Sequence, residues 1–420
     1  METTGNKDDK RKGSKSISLA SLSIDNDWVA EHARQVQRML VGGIKVIGVY
    51  VWVSDSCFKN STMMLCQTLK GVAEAAAHLE TDSDERLLLH ISYSPRRWTC
   101  RYCVLPANIK STSLKPCDFK MGKVLSSFQT FRCMYNFDLR LPISYDSASN
   151  GQTLGDILRR GISVHGKELK GAKAMIDGHL VVNDEPCSTD GMHEVELLES
   201  FMNYIGVCSE KDVVGILIFS GSVCSFAHLN SKEPVSQAVA DIKDDIIRSL
   251  QSRLDVICDE ADDLSSTEKG GREANNEISC GKLVSHFVLH ELRKTCYLSF
   301  PRRVFVPWLA GIYICDYLQS FETVEVLKDH CVELMSMEAP SDASKVLEPE
   351  VEAPSLITKS FWEVVVPFSY ASISSSEKSR TVSTRAESGQ ATNFTVVGLV
   401  AAVFFLILSV IVGFLLVQRS

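Results

Sequence analysis

Two pairs of residues have the type and spacing that could bind a metal ion. Cys100 and Cys103 form a Cys-x-x-Cys motif. A structural zinc site takes four ligands, and the sequence has no second pair of this spacing. Redox motifs of this spacing open a helix after a strand, whereas this one lies in an alternating strand that turns its two sulfurs to opposite faces. His286 and His290 are four residues apart, but Phe-Val-Leu stands between them instead of the Glu-bearing spacer of a zinc protease helix.

The motif expected around a catalytic nucleophile is also incomplete in the sequence. Ser220-Gly221-Ser222 follows a predicted strand, as a nucleophile elbow does, but the Gly-x-Ser-x-Gly pattern is missing. The sequence shows no coherent set of nucleophile, base and orienting group. It therefore predicts a protein that is not an enzyme, with no catalytic, cofactor-binding or metal-binding residues. The competing interpretation is a tail-anchored, cytosol-facing hydrolase with a Cys or Ser nucleophile.

A short apolar segment near the C-terminus could bind a protein partner. It contains Phe361, Trp362, Val364 and Val365, and its surroundings are rich in Glu, Pro, Ser and Thr. Peptides of this type add as a strand to ubiquitin-fold receptors. The segment could instead fold back as an edge strand of its own domain, and the sequence leaves both interpretations open.

The last long segment, residues 394–417, is apolar and carries no charge. At about 1.5 Å per helical residue it is long enough to cross a hydrocarbon core about 30 Å thick. The residues expected to anchor it in the lipid bilayer are Phe394, Val396, Phe404, Phe405, Leu408 and Val417. The polar N-terminus has no apolar signal-peptide core, so we expect a single-pass tail anchor with residues 1–393 in the cytosol.

The remaining sequence predicts an α+β fold, with a mixed, largely antiparallel sheet and packed helices. Helices are expected at residues 27–40 (capped by Asp27), 65–79, 235–257 and 322–335. Strands are expected at 44–53 (buried on both faces), 87–91, 98–105, 131–141, 213–219 (broken by Gly221), 304–307 and 312–315, with a hairpin turn at Asp177-Gly178. In the helix at 235–257, the charged residues Lys243, Asp244, Asp245 and Arg248 are predicted to face water.

The sequence predicts four segments: a disordered arm at 1–24, a globular domain at 25–335, a flexible tether at 336–392 and the anchor at 393–417. The formal net charge of −8 with both signs mixed does not favour nucleic acid as a partner. The 14 cysteines are scattered without paired spacing, as expected of reduced thiols in the cytosol.

Four stretches resemble the odorant-response-abnormal family of tail-anchored proteins. They are residues 33–49, residues 228–253, the stretch from 301–307 through 315–317, and the terminal anchor. The resemblance implies a chaperone-like adaptor in the endoplasmic-reticulum membrane that assists folding and trafficking of multipass membrane receptors. It also implies recruitment of a ubiquitin-fold-modifier-specific protease to that membrane.

The same resemblance implies an MPN-like fold for the globular part. Active members of that fold carry a His-x-His-Pro run followed by Ser-x-x-Asp, and this sequence contains no His-x-His. The resemblance therefore implies a domain without metal catalysis.

Overall fold

The computed structural model describes residues 22–77, 85–104, 114–118, 120, 122, 128–144, 153–182, 186–187, 191–198, 213–267, 297–338 and 345–360. These residues form a mixed α+β structure, as predicted. Its helices are α1 (Asn26–Met39), α2 (Asp55–Asn60), α3 (Thr62–Ala75), α4 (Leu154–Gly171), α5 (Val235–Thr267) and α6 (Val324–Glu333). Its strands are β1 (Gly48–Trp52), β2 (Glu85–Tyr93), β3 (Arg96–Val104), β4 (Leu114–Cys117), β5 (Gln129–Ser144), β6 (Lys173–Ile176), β7 (His179–Leu180), β8 (Met192–Leu198), β9 (Val213–Leu229), β10 (Tyr297–Ser299), β11 (Arg302–Pro307), β12 (Tyr313–Leu318) and β13 (Ser355–Ser360).

A seven-stranded sheet in the order β10-β13-β9-β5-β8-β6-β7 holds the largest core. Its centre is the long antiparallel pair of β5 and β9. Alternate β5 residues, Phe131 to Leu139, are buried against α4 and α5, so the predicted strand at 131–141 is confirmed. The predicted turn is confirmed too, since Asp177 and Gly178 both have positive φ and join β6 to β7.

Strand β9 continues through Gly221, where the sequence predicted a break. A Cβ atom at Gly221 would lie 2.7 Å from Cα of Pro354. Glycine is present here because another segment of backbone packs directly against the strand, not because the strand ends. That segment leads into β13, which pairs antiparallel with β9.

The position of β13 differs from the prediction that a flexible tether begins at residue 336. Residues 355–360 pair within the main sheet, and the Leu356 side chain is buried in its core. Glu350 is buried as well, with 1 % of its surface exposed. The folded domain therefore continues through Ser360.

A second sheet in the order β1-β2-β3-β4 packs one face against α2 and α3. The prediction that the strand at 44–53 is buried on both faces is wrong. Strand β1 is a short edge strand whose Val49 and Val51 pack inward, while Tyr50 and Trp52 are exposed. Helix α1 begins at Asn26, with Asp25 as its cap in place of the predicted Asp27.

The third sheet is the antiparallel hairpin of β11 and β12. Phe305, Cys315 and Tyr317 of this hairpin pack with Cys224 and Phe226 of β9. Helix α6 and the end of α1 pack against the hairpin and form a further apolar cluster with it.

Two buried ion pairs connect α5 to the hairpin and to the segment before β13. Arg303 Nη1 lies 2.6 Å from Asp245 Oδ2, and Arg253 Nη2 lies 2.6 Å from Glu350 Oε1. Both carboxylates accept further hydrogen bonds: Ser225 Oγ and Gly42 N donate to Asp245, and Cys224 N and Arg303 N donate to Glu350. Arg303 Nε is buried without a hydrogen-bond partner, but both carboxylates are paired with a guanidinium and accept further hydrogen bonds. Paired buried charges of this kind fix the register of the elements that carry them.

The structure differs from the prediction that the charged residues of α5 face water. The apolar residues Ile242, Ile246, Leu250 and Leu254 are buried as predicted. However, Asp245 is also buried, and Lys243 inserts between helices, where its Nζ donates to the carbonyl of Lys170 at 3.1 Å. Helix α5 is therefore enclosed on more than one side.

Candidate functional site: an exposed aromatic sheet face

The structure does not describe most of the sites expected from the sequence. The proposed anchor residues of 394–417, the peptide of Phe361, Trp362, Val364 and Val365, and the pair His286 and His290 all lie outside the described residues. Within the described part of the chain, no helix has the length and apolar character needed to cross a membrane.

The Cys-x-x-Cys motif lies in β3, and its two cysteines point to opposite faces of the sheet, as predicted. Cys103 is buried in the cluster beneath the helices. Cys100 lies on the other face, directly opposite Cys117 of β4. Burial, together with the neighbouring Cys117 thiol, raises the pKa of Cys100 to about 11, which keeps this thiol protonated at neutral pH. No group of three or more His, Cys, Asp or Glu side chains that could hold a metal ion occurs among the described residues.

The face of the β1–β4 sheet that turns away from the helices carries rows of apolar residues. Because residues paired across strands point to the same side, the register defines three rows. They are Trp52–Ile91–Trp98, Tyr50–Leu89–Cys100–Cys117 and Gly48–Leu87–Tyr102–Lys115. We call this surface the aromatic face.

Exposure is greatest at the β1 edge of the aromatic face. Tyr50 is 72 % exposed and Trp52 is 66 % exposed. Leu87, Leu89 and Trp98 are half-buried. Lys115 is the single charged side chain in the three rows. Contiguous exposed apolar surface of this kind makes the aromatic face a candidate site of interaction with another molecule.

Sequence reasoning missed this surface, although a signal was present. In β1, aromatic residues alternate with Val49 and Val51. The pattern predicts a strand buried on both faces, because Trp and Tyr contribute large apolar area to cores as well as to interfaces. Only the placement of the helices on one side of the sheet distinguishes the two cases.

The structure also brings together three residues that sequence reasoning did not connect. His193 Nδ1 lies 2.7 Å from Asp177 Oδ2, and His193 Nε2 lies 3.5 Å from Cys187 Sγ. The hydrogen bond from His193 lowers the pKa of Asp177 below its ordinary value. The turn at Asp177-Gly178 was identified in the sequence, but nothing in the spacing indicated that its carboxylate reaches the imidazole on β8.

Comparison with known proteins gives a consistent result. Residues 1–346 match the family described as Odorant response abnormal 4-like. The chain is similar to Protein odr-4 homolog of Homo sapiens, with 26% identity over 74% of this chain and 69% of that protein. The relative of the same name from Dictyostelium discoideum is 25% identical over 82% of this chain and 70% of its own length, and that from Mus musculus is 23% identical over 78% and 72%.

Proposed function

Because the chain belongs to the Odorant response abnormal 4-like family, we propose that it is a non-enzymatic adaptor in protein trafficking. It assists the folding and export of multipass membrane receptors at the endoplasmic reticulum. Family membership across residues 1–346 is the observation that carries this proposal.

The aromatic face is the proposed docking surface for a folded protein partner. Trp and Tyr dominate the energetics of protein interfaces, and fully buried interface centres are poor in charge. Tyr50, Trp52 and Trp98 have this character, and the single Lys115 offers little attraction to an anionic lipid surface. The proposed occupant is the ubiquitin-fold-modifier-specific protease that the family resemblance implies.

Substitution of the exposed aromatic residues tests the docking surface. Tyr50→Ser with Trp52→Ser should weaken co-purification of the protease, with a loss of affinity of about 30-fold or more if these residues are interface anchors. Phe321→Ser is the matched control, since Phe321 is 74 % exposed and lies in the turn after β12. Equal binding by the double variant and the control would exclude the aromatic face as the docking surface.

The proposed adaptor is held in the endoplasmic-reticulum membrane by residues 394–417. Replacing Phe404 and Phe405 with Arg adds two central charges, each costing about 2.5–3.5 kcal/mol of insertion free energy. The variant should move to the soluble fraction of lysed cells. Protease added to intact microsomes should digest residues 1–393, and protection of this region would contradict the proposed cytosolic orientation.

The globular domain is proposed to be MPN-like and without metal catalysis. The absence of His-x-His from the sequence supports this part of the proposal. Metal analysis of the protein purified without added zinc should give much less than one zinc per chain, and an isopeptide-linked substrate should remain uncleaved. Stoichiometric zinc would overturn this part while leaving the docking proposal intact.

A further inference from the structure

Asp177, His193 and Cys187 form a continuous hydrogen-bonded chain at the β7 side of the main sheet. Asp177 lies in the turn between β6 and β7, His193 lies on β8, and Cys187 lies in the connection between β7 and β8. The second carboxylate oxygen of Asp177 accepts from Glu194 N at 2.9 Å. The carboxylate is therefore held in place from two directions while it contacts the imidazole.

This arrangement determines which ring nitrogen of neutral His193 carries the proton. Since the carboxylate accepts a hydrogen bond at Nδ1, that nitrogen carries the ring proton and Nε2 presents its lone pair to the thiol. His193 is 3 % exposed, and its ring centroid lies 5.0 Å from that of Phe131. Packing thus keeps the imidazole in the orientation in which it can accept the proton of Cys187.

Cys187 is partly exposed and follows the exposed Pro186, and it also packs against the main core. His193 is buried between Cys187 and the exposed Asp177. A partly exposed thiol that can transfer its proton to an adjacent imidazole has the two properties of a reactive cysteine. Many other cysteines of the domain, such as Cys133 and Cys224, are buried, and burial raises the pKa of both to about 12.

We propose that Cys187 is a nucleophilic thiol that accepts acyl groups from thioester donors. In this step the Cys187 proton moves to His193 Nε2 and Sγ attacks the carbonyl carbon of the donor. The new S–C bond forms, the S–C bond of the donor breaks, and the proton on His193 passes to the departing thiolate. One thioester is exchanged for another, so the step balances without an oxidant or reductant.

Thioesters are the class of acyl donor that this site suits best. The leaving group is itself a thiolate, so no amine has to be protonated before it departs, as amide cleavage would require. A thiolate, a base and an orienting carboxylate are sufficient for the exchange. The proposal makes Cys187 a covalent acceptor on the adaptor and does not depend on the proposed docking surface.

Alkylation kinetics of the full chain test the reactivity of the thiol. With iodoacetamide at pH 6.5, mass spectrometry of peptides should show Cys187 labelled about tenfold or more faster than Cys57, which is also half-buried. His193→Gln should slow labelling of Cys187 about tenfold and shift its pH profile to that of an ordinary thiol, rising toward pH about 8.5. Cys57→Ser should leave the rate at Cys187 unchanged.

A thioester probe tests the chemical class. S-acetyl-N-acetylcysteamine should acetylate Cys187 in the wild-type chain and in Cys57→Ser, but not in Cys187→Ser. Labelling of Cys187 no faster than Cys57, or an unchanged pH profile in His193→Gln, would overturn the proposal. Alkylation by iodoacetamide without acetylation by the thioester would overturn its assignment as an acyl acceptor. Thermal unfolding of each variant shows whether the comparison is made between folded proteins, and Asp177→Asn supplies a second variant if His193→Gln is unfolded.

Discussion

Several side chains in the core carry charge, and the pairing of these charges determines how much a mutation there changes the stability of the domain. Burial by itself raises the pKa of Asp245, but the adjacent Arg303 guanidinium outweighs burial and lowers the pKa below its ordinary value. The carboxylate is therefore charged in the folded protein. Its contribution to stability is fully present above the unfolded pKa of about 3.9 and is lost as the pH falls through the lower folded value.

Asp245→Asn should be strongly destabilising. It leaves the Arg303 charge buried without its partner, and loss of one member of such a pair costs about 3–5 kcal/mol. Glu348→Gln is the control, because Glu348 pairs with Arg302 at 3.2 Å on the surface, where a pair contributes about 0–1 kcal/mol. Urea unfolding followed by circular dichroism measures both, and equal midpoints would contradict the assigned importance of the buried pair.

His228 gives the domain a predictable dependence on pH. Burial lowers the pKa of His228 to about 4, and the ring accepts a hydrogen bond from Tyr313 N at 3.2 Å as a neutral group. Between pH about 6.5 and 4 the unfolded chain binds a proton here and the folded chain does not. Wild-type protein should therefore lose about 2–3 kcal/mol of stability from this group over that range.

The variant His228→Gln should show a shallower decline in unfolding free energy over the same pH range. The comparison of variants is needed because His330 acts in the opposite direction. Its hydrogen bond with Asp316 raises the pKa of His330, so its contribution is present at low pH and is lost as pH rises. Parallel pH curves for wild type and His228→Gln would show that His228 is not the titrating group.

At the level of elements, α4 and α5 are joined by one long polar side chain as well as by apolar packing. Lys243 of α5 donates to the carbonyls of Lys170 and Ala172 at the end of α4. Helix ends leave carbonyl groups without partners inside the helix, and a cation at the C-terminus is favourable for the helix dipole. Lys243 of α5 thus supplies hydrogen-bond donors to carbonyl groups at the C-terminal end of α4.

Lys243→Ala should accordingly destabilise the domain by about 1–3 kcal/mol, because it removes the donor from buried carbonyl groups. The water-facing position predicted from the sequence implies instead that Lys243→Ala is nearly neutral for folding. Lys167→Ala on α4 is the control, since Lys167 is exposed. Identical thermal midpoints for the two variants would support the prediction from the sequence that Lys243 faces water.

For the whole molecule, the position of β13 decides where the chain can be shortened. A chain ending at residue 335 lacks both Glu350 and β13, so Arg253 loses its carboxylate and β9 loses the strand beside it. We expect that chain to be insoluble or unfolded. A chain ending at Thr392 retains these contacts and should remain folded and still bind the proposed protease in solution, without bringing it to the membrane.

Solubility and circular dichroism of the two truncated chains measure the first expectation, and co-purification with the protease measures the second. A folded chain ending at residue 335 would show that β13 is dispensable. Loss of protease binding on removal of residues 393–420 alone would place the interface in the segment proposed as the anchor.

The sequence by itself determined several local elements, although it did not predict α2, α4 or β13. The alternation of residues 131–139, the apolar spacing of 235–257 and the Asp-Gly turn at 177–178 each encode an element through its own repeat or backbone preference. The stretches that resemble the odorant-response-abnormal family were also visible without coordinates. Such features are local or linear, so they can be identified before any tertiary contact is known.

Only the tertiary structure decided which polar and aromatic residues are inside. Asp245 is buried because Arg303, 58 residues away, pairs with it, and Arg253 is buried because Glu350, 97 residues away, does the same. Tyr50 and Trp52 are exposed because helices cover one side of their sheet alone. Asp177 meets His193 because β6, which ends at the turn, pairs with β8. Burial of a charge or exposure of an aromatic ring depends on a partner distant in the chain, and residue spacing carries no information about that partner.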